Sequence, residues 1–449
     1  MSSLVLSLDS KCKCDGIEEG DFVRVRLRSG EVLEGIVMPT TEFSSEDIII
    51  IKLSNGYNVG ISRSNAEIEV LGKSKISIGK EYPMERTRIE GKGSLRLAFI
   101  SAGGTIMSKV EYETGAVRPA INVAELIDMV PNLLDIVSYV EVEEVFRLLS
   151  ENMTPRHWEE IAKIVATKFM KGADSVIIAH GTDTMSYTAA ALAFAIQNLP
   201  GPVILVGSQR SSDRPSTDAV MNLRGSIITA SKAPFGEVTV CMHGHTSDTY
   251  ILVHRGVRVR KMHSSRRDAF QSINDIPLAR VAPTTDDFIL LNNDYIPRSK
   301  GKDVKLKPRF SNKVFLLKVF PGIDCNIIEY LASIGYKGIV IEGTGLGHIR
   351  EDCVPVIERV IDKGVIIVMT TQTLFGRVNM KVYTTGRKLL KVGVLSADDM
   401  LPEVAYVKLS WLLGNVNDVD EVKRLFVTNL VKELGGIHQE NYFPRWYHG

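Results

Sequence analysis

The chain has 449 residues, more than one core ordinarily serves, and its 44% hydrophobic and 24% charged content is that of a globular protein of two or three domains. Its formal net charge of +1 excludes a global field that would recruit nucleic acid or an anionic membrane. No apolar run approaches the ~20 residues of a membrane span, and the start of the chain lacks the basic region of a signal peptide, so a cytoplasmic protein is expected. The five cysteines, Cys12, Cys14, Cys241, Cys325 and Cys353, form an odd, scattered set. That argues against a disulfide framework and for a reducing compartment. Cys12 and Cys14 make a lone C-x-C without the second pair a zinc site needs, so no metal is expected.

Residues 18 to 72 read as all-β. From Asp21 to Arg28, Val23, Val25 and Leu27 alternate with Arg24, Arg26 and Arg28. Further strands are expected at Val32 to Met38, Asp47 to Leu53, Tyr57 to Ile61 and Ile68 to Leu71, with Asn55-Gly56 as a hairpin turn. Five short strands in this span predict a small barrel of SH3 or Sm type. The arginine face is either a solvated surface or a contact for a partner or RNA. Gly72 to Lys92 reads as a linker.

Beyond residue 95 strands and helices alternate. Leu97 to Ile100 is a short apolar run that ends in Ser101-Ala102-Gly103-Gly104-Thr105-Ile106. Val145 to Leu149 is strand-like and precedes Ser150 and Glu151. Thr154-Pro155 opens a helix whose buried stripe is Trp158, Ile161, Ala162, Val165 and Phe169. A buried strand, Ser175 to Ala179, runs into His180-Gly181-Thr182-Asp183-Thr184 and a helix at about 186–197. A strand at Val203 to Val206, a helix at about 218–230 and strands at Val238 to Met242 and Ile251 to Val253 follow. His243-Gly244-His245 has no matching ligand pair and reads as a strand-end loop. The polar stretch 281–312 leads to a second α/β lobe, with strands at Val314 to Val319, Gly338 to Glu342 and Val365 to Thr370 and helices at about 324–334 and 353–363. The expected domains are residues 1–90, a barrel plus linker; 91–305, a doubly wound lobe; and 306–449, a smaller α/β lobe.

Sites in doubly wound sheets lie at the carboxyl ends of strands, where Thr105 and Thr182 both fall. A hydroxyl is a weak nucleophile and needs a base or a charged neighbour. Asp183 can hold a substrate ammonium or orient a lysine. The densest basic run contains Arg255, Arg258, Arg260, Lys261, Arg266 and Arg267. It is either a solvated or RNA-touching patch or the source of a lysine that arginine neighbours and burial render able to take a proton from Thr182. The turn Gly343-Thr344-Gly345-Leu346-Gly347-His348 lacks the full dinucleotide-binding spacing, and no G-x-x-x-x-G-K-[ST] phosphate loop occurs.

Residues 95 to 430 resemble the bacterial type I/II L-asparaginase and glutaminase family. The family's Thr-Gly-Gly-Thr-Ile appears as Ala102-Gly103-Gly104-Thr105-Ile106, with alanine replacing the first threonine, and its His-Gly-Thr-Asp-Thr is complete at His180 to Thr184. The family's lysine segment, ahead of a Phe-x-Ser, falls on Lys261 to Ser272 and carries the catalytic lysine to Lys261. The resemblance implies that Thr105 attacks a side-chain amide and forms an acyl-enzyme. It implies that Thr182, Asp183 and Lys261 form the second catalytic cluster. It places Ser150 and Glu151 on the substrate's α-carboxylate and α-ammonium and makes Tyr112 the lid tyrosine. Which threonine attacks is left open by the residues themselves.

The barrel segments Gly20 to Val25 and Glu34 to Pro39, joined to this body, are similar to the D-subunit family of archaeal glutamyl-tRNA(Gln) amidotransferases. That similarity implies a glutaminase half-reaction whose ammonia goes to the amidotransferase E subunit. The partner would bind ATP and Mg, hold tRNA(Gln) for the most part, and amidate its glutamate; no cofactor is expected in this chain. A homodimeric core is implied by the family. A free-standing asparaginase/glutaminase is the alternative, and a catalytically dead scaffold the third, which the intact Thr105, Thr182, Asp183 and Lys261 oppose. Glutamine exceeds asparagine by one methylene, worth ~1–3 kcal/mol, so residue types do not separate the two substrates.

Overall fold

The computed structural model describes residues 17–38, 45, 47–53, 58–73, 86–104, 108–110, 117–119, 130, 132–211, 216–299 and 303–443. Cys12, Cys14, the Asn55-Gly56 turn, Thr105 and Tyr112 lie outside them.

The alternation in Asp21–Leu27 works as expected. Val23 and Val25 are fully buried with Val37, Ile49, Ile51 and Ile61, and the arginines face outward. The five antiparallel strands take the order Asn58–Ser62, Ile48–Leu53, Val32–Val37, Asp21–Leu27, Ala66–Lys73. The two edge strands are consecutive in the chain and are joined by one three-residue turn, Arg63–Asn65, so the sheet curls onto itself. Arg24 lies between Glu34 at 2.7 Å and Glu69 at 3.6 Å, and Arg26 stands across from Glu67. Carboxylates therefore neutralise the arginine row, which supports the solvated-face reading.

The body is built on a nine-stranded sheet. Its centre is parallel: Val137–Glu144, Leu95–Ser101, Ser175–Ala179, Val203–Val206 and Val238–His243 are neighbours in that order. The innermost strands, Ser175–Ala179 and Val203–Val206, are fully buried and almost wholly apolar because both faces are covered. Val176 and Ile178 join one core and Ile177 and Ala179 the other. Two departures from the sequence reading lie at one edge. Arg86–Glu90, inside the expected linker, is an antiparallel edge strand on Val137–Glu144. The strand expected at Val145 to Leu149 ends instead at Glu144. Its alternating Val-Glu pattern is stabilised by Lys168, buried between Glu141 at 2.5 Å and Glu143 at 2.6 Å.

The second lobe is a four-stranded parallel sheet, Val314–Lys318, Gly338–Gly343, Ile366–Thr371 and Leu395–Ser396. Helix Met185–Ala195 of the first lobe and helix Pro402–Asn415 of the second are apolar on nearly every side and pack together, with Phe194 stacked on Trp411 at 5.7 Å. One core consequently runs through both lobes.

Cys325 and Cys353 form a disulfide, contrary to the expectation from their count. Each immediately precedes a helix, Asn326–Ser333 and Val354–Asp362, that follows one of two adjacent parallel strands, so the topology brings together residues 28 apart in sequence. Asp352 lies beside them, but the two sulfurs are bonded to each other rather than free to hold a metal.

Arg258 ties the lobes together. Its guanidinium is buried and bidentate on the Asp399 carboxylate at 3.1 and 3.3 Å. Removing one member of such a pair leaves the other charge buried and uncompensated. Arg258→Ala should therefore cost about 3–5 kcal/mol in denaturant unfolding. A loss under about 1 kcal/mol, the scale of an exposed pair, would show that the tie is dispensable.

Candidate active site

The parallel strands end level with one another. Ser101 stands beside Glu144 and Ala179, and Ala179 beside Val206. The loops that follow therefore emerge side by side, and they hold the residues singled out from sequence. Close packing of glycines joins them. A methyl group on Gly103 would stand 2.1 Å from the Leu148 carbonyl oxygen, and one on Gly104 2.3 Å from the Gly181 nitrogen. Both have φ near +95°, which a side chain would oppose. A methyl group on Gly181 would stand 2.6 Å from Ser150 Cβ. Gly104, the residue before Thr105, is thus seated on the backbone that leads into Thr182.

Thr182 and Asp183 occupy the turn between strand Ser175–Ala179 and helix Met185–Ala195. A helix start of this kind favours negative charge. Lys261 comes from another element, the hairpin of Val259–Lys261 and Phe270–Ser272. Its Nζ donates to Thr182 Oγ1 at 2.9 Å and to Asp183 Oδ1 at 2.7 Å. Thr182 and Lys261 are largely buried, whereas Asp183 remains two-thirds exposed. Ser150 is buried against Gly181 in the turn Ser150–Asn152, and Glu151 beside it is exposed. The structure therefore brings together Thr182, Asp183, Lys261 and Ser150, with Glu151 at the margin.

The basic run is not a patch. Arg255 pairs with Glu237 and Asp275, Arg258 with Asp399, Arg260 with Glu403, Arg266 with Asp268 and Arg267 with Asp248. The two arginines nearest Lys261 in its own strand and turn, Arg258 and Arg260, face carboxylates of the second lobe rather than the lysine.

Several residues to which the motifs assign no role hold this geometry, His180 and Thr184 from within a motif and the others from outside it. Thr184 Oγ1 donates to the Ser150 carbonyl at 2.7 Å, so one hydroxyl fixes the neighbouring turn. Beneath the site, Trp158 Nε1 donates to Thr188 Oγ1 at 3.1 Å, and Thr188 contacts His180 Nε2 at 2.9 Å. The Gly181 carbonyl on the other side of the ring can only accept, so in a neutral ring Nε2 is left to accept the Thr188 hydroxyl proton. His180 Nδ1 then carries the hydrogen and donates to the Gly181 carbonyl at 2.7 Å. The imidazole is neutral, and burial pushes its pKa down to about 4. Asp218, fully buried, accepts the N–H groups of Gln209 and Arg210 and so shapes the loop after Val203–Val206. A charge at a buried helix start was the one sequence sign of that role.

Comparisons with known proteins identify the fold that carries these residues. Residues 96–294 match the family model "Asparaginase, N-terminal", and residues 313–426 match "Glutaminase/Asparaginase C-terminal domain". Among solved structures, an L-asparaginase from Thermococcus kodakarensis is 30% identical and superposes with a TM-score of 0.67, covering 76% of this chain and 99% of its own. L-asparaginase I from Vibrio cholerae is 29% identical, with a TM-score of 0.66, covering 76% of this chain and 100% of its own. Residues 17–71, the barrel, match the model "GatD N-terminal domain". A glutamyl-tRNA(Gln) amidotransferase D subunit from Metallosphaera sedula is 52% identical over 96% of both chains, and one from Sulfolobus acidocaldarius is 50% identical over 96% of this chain and 95% of its own. The chain belongs to the D-subunit family of glutamyl-tRNA(Gln) amidotransferases. Its body is the asparaginase fold, and its barrel is the feature that marks the D-subunit family.

The neutral state of His180 has a pH consequence. Its folded pKa is about 4 against an ordinary value of 6.5, so the unfolded chain binds a proton that the folded chain refuses. The stabilisation is complete above about pH 6.5 and is lost as pH falls toward about 4, with a limit on the order of 3 kcal/mol. His180→Asn should flatten the fall of urea midpoint over that window relative to wild type. Parallel curves for the two proteins would contradict the assignment.

Proposed function

We propose that this chain hydrolyses the side-chain amide of glutamine and releases ammonia for the amidation of glutamate on tRNA(Gln). Membership of the D-subunit family makes the chain one part of an amidotransferase complex. The observation that carries the chemistry is the single Lys261 ammonium shared between Thr182 and Asp183.

The roles follow from that contact and from the family motifs. Thr105 supplies the oxygen that attacks the amide carbon, giving an acyl-enzyme, while the C–N bond breaks and ammonia leaves. Water then cleaves the ester and regenerates the hydroxyl. Lys261 and Thr182 form the path along which a proton moves to and from the reacting water or hydroxyl. Asp183 holds Lys261 in register and, being exposed, is available to a substrate ammonium. Ser150 and Glu151 take the substrate's α-carboxylate and α-ammonium, and Tyr112 closes over the site. Amide N–H groups at the start of the helix Met185–Ala195 stabilise the tetrahedral oxyanion.

The ATP-dependent half of the reaction belongs to a partner, the E subunit of the amidotransferase, with ATP and Mg bound there. The tRNA is held mainly by that partner, consistent with a net charge of +1 and a charge-balanced barrel surface in this chain. A homodimeric core in the cytoplasm completes the reading. No helix among the described residues is long and apolar enough to cross a membrane.

Ammonia release from glutamine and from asparagine, by the chain alone and with its partner, glutamyl-tRNA(Gln) and ATP, is the deciding assay. Glutamine hydrolysis that rises when the complex is charged with tRNA is expected. Brisk asparagine turnover indifferent to tRNA would favour a free-standing asparaginase. Thr105→Ala, Thr182→Ala and Lys261→Ala should each lower amide hydrolysis by about 10³-fold or more. The complex should still amidate tRNA from added ammonium salt. Near-normal glutaminase activity in Thr105→Ala would overturn the choice of nucleophile.

A further inference from the structure

His243 ends the strand Val238–His243 and is fully buried. It stands beyond the catalytic cluster, yet it closes a ring of contacts behind it. Gly207 packs so tightly on the Thr182 side chain that a methyl group there would stand 2.8 Å from Thr182 Cγ2. The Gly207 carbonyl accepts Asn222 Nδ2 at 2.9 Å. Asn222 Oδ1 meets His243 Nδ1 at 2.6 Å. His243 Nε2 meets Asp248 Oδ1 at 3.0 Å. Asp248 pairs with Arg267 at 2.9 Å. Arg267 lies in the hairpin that carries Lys261, and it also binds the Ser216 and Thr246 carbonyls. Lys261 then returns to Thr182.

The hydrogen-bond inventory fixes the protons on the ring. Asn222 Nδ2 donates to the Gly207 carbonyl and to the Asp218 carboxylate at 3.0 Å, and both can only accept. The amide orientation is therefore set, and its oxygen is the atom that faces His243 Nδ1. On the other side Nε2 faces a carboxylate whose second partner is a guanidinium. Both ring nitrogens thus meet acceptors, and a neutral ring would turn one lone pair onto an oxygen in a buried site. The surrounding charges balance an imidazolium: Asp218 behind Asn222 and Asp248 are negative, and Arg267 is positive. Ile251 is its neighbour on the adjoining strand, and His245 and Asp268 lie further along the same loops.

We propose that His243, protonated at both ring nitrogens, is a positioning residue that ties the Gly207 loop to the Lys261 hairpin and so holds Lys261 on Thr182. Loss of either ring proton removes one strut between the Gly207 loop and the turn of the hairpin, whose base is still held by Arg258 and Arg260 but whose turn is then tied only through the side-chain contacts of Arg267. The role in catalysis rests on the amidohydrolase reading above; the protonation state does not.

The test uses the full chain labelled with ¹⁵N-histidine. At neutral pH one buried ring, identified by its loss in His243→Gln or by its displacement in Asp248→Asn, should show both nitrogens protonated. In Asp248→Asn the ring should become neutral. Asp248→Asn and Arg267→Lys should lower kcat for amide hydrolysis by about 10-fold, the scale of a sub-ångström misplacement, with KM little changed. The alkaline limb of kcat should also move to lower pH in Asp248→Asn, which a merely structural role, reducing kcat uniformly at every pH, would not produce. A neutral ring at His243 in the wild type, or an unmoved alkaline limb, would overturn the proposal. If wild type hydrolyses neither amide, the functional reading fails while the ¹⁵N measurement still decides the protonation.

Discussion

Lys261 approaches Thr182 and Asp183 across 79 and 78 residues of sequence, and the site exists only while that approach is maintained. The lysine stands on a short hairpin at the edge of the first lobe, and its partners sit on a rigid turn in the middle of the sheet. A three-residue strand cannot fix a long, flexible side chain without help. The help comes from charges nearby. Arg258 and Arg260 leave the same segment toward the second lobe, and Arg267 leaves the turn toward Asp248. Each cation finds a carboxylate of its own, so that only the lysine is left to enter the cleft. A run of six basic residues is thereby resolved into one functional group and five anchors.

The other half of the site depends on the absence of side chains. Level strand ends put three loops next to one another, but ordinary residues would hold them apart. Gly103, Gly104 and Gly181 let backbone touch backbone, and the buried Ser150 fills the space that a side chain at position 181 would occupy. This is the physical content of the two glycine-containing motifs: they set a distance between main chains, and the hydroxyls ride on it. The alanine at position 102, where the asparaginase pattern has threonine, is buried and bonded through its backbone to Ala179, so the departure does not disturb that distance.

What the sequence disclosed and what it withheld divide along the same line. Continuous apolar strands flanked by helix starts pointed to the doubly wound body, because both faces of a parallel sheet must be covered. The stripe from Trp158 to Phe169 was readable for the same reason, and so were the strand-end motifs. Contacts between distant elements were not readable. Nothing local marks Arg86–Glu90 as an edge strand, since its Val137–Glu144 partner alone gives it a place. Nothing in the spacing of Cys325 and Cys353 announces a bond, which only adjacent parallel strands produce. Likewise His243 looked like an idle loop residue. Its acceptors, Asn222 and Asp248, lie on a helix and a loop whose neighbourhood is a product of the fold.

The division of the body into two lobes describes its topology better than its energetics. Helix Met185–Ala195 is apolar on all sides, which is tolerable only when every side is covered. The sheet covers one side and helix Pro402–Asn415, from the far lobe, covers another. That second helix is equally buried and carries Glu403, whose carboxyl pKa burial pushes up while Arg260 opposes the shift. It also carries Lys408, whose charge is matched inside the core by Glu433 from the segment that follows. Separating the lobes would expose two apolar helices, part Glu403 from Arg260, and take from Arg258 the Asp399 carboxylate that balances its charge. The helix that opens at Met185, just after Thr182 and Asp183, is thus supported by a helix encoded in the other lobe. The catalytic turn inherits its rigidity from the whole body rather than from the lobe that encodes it.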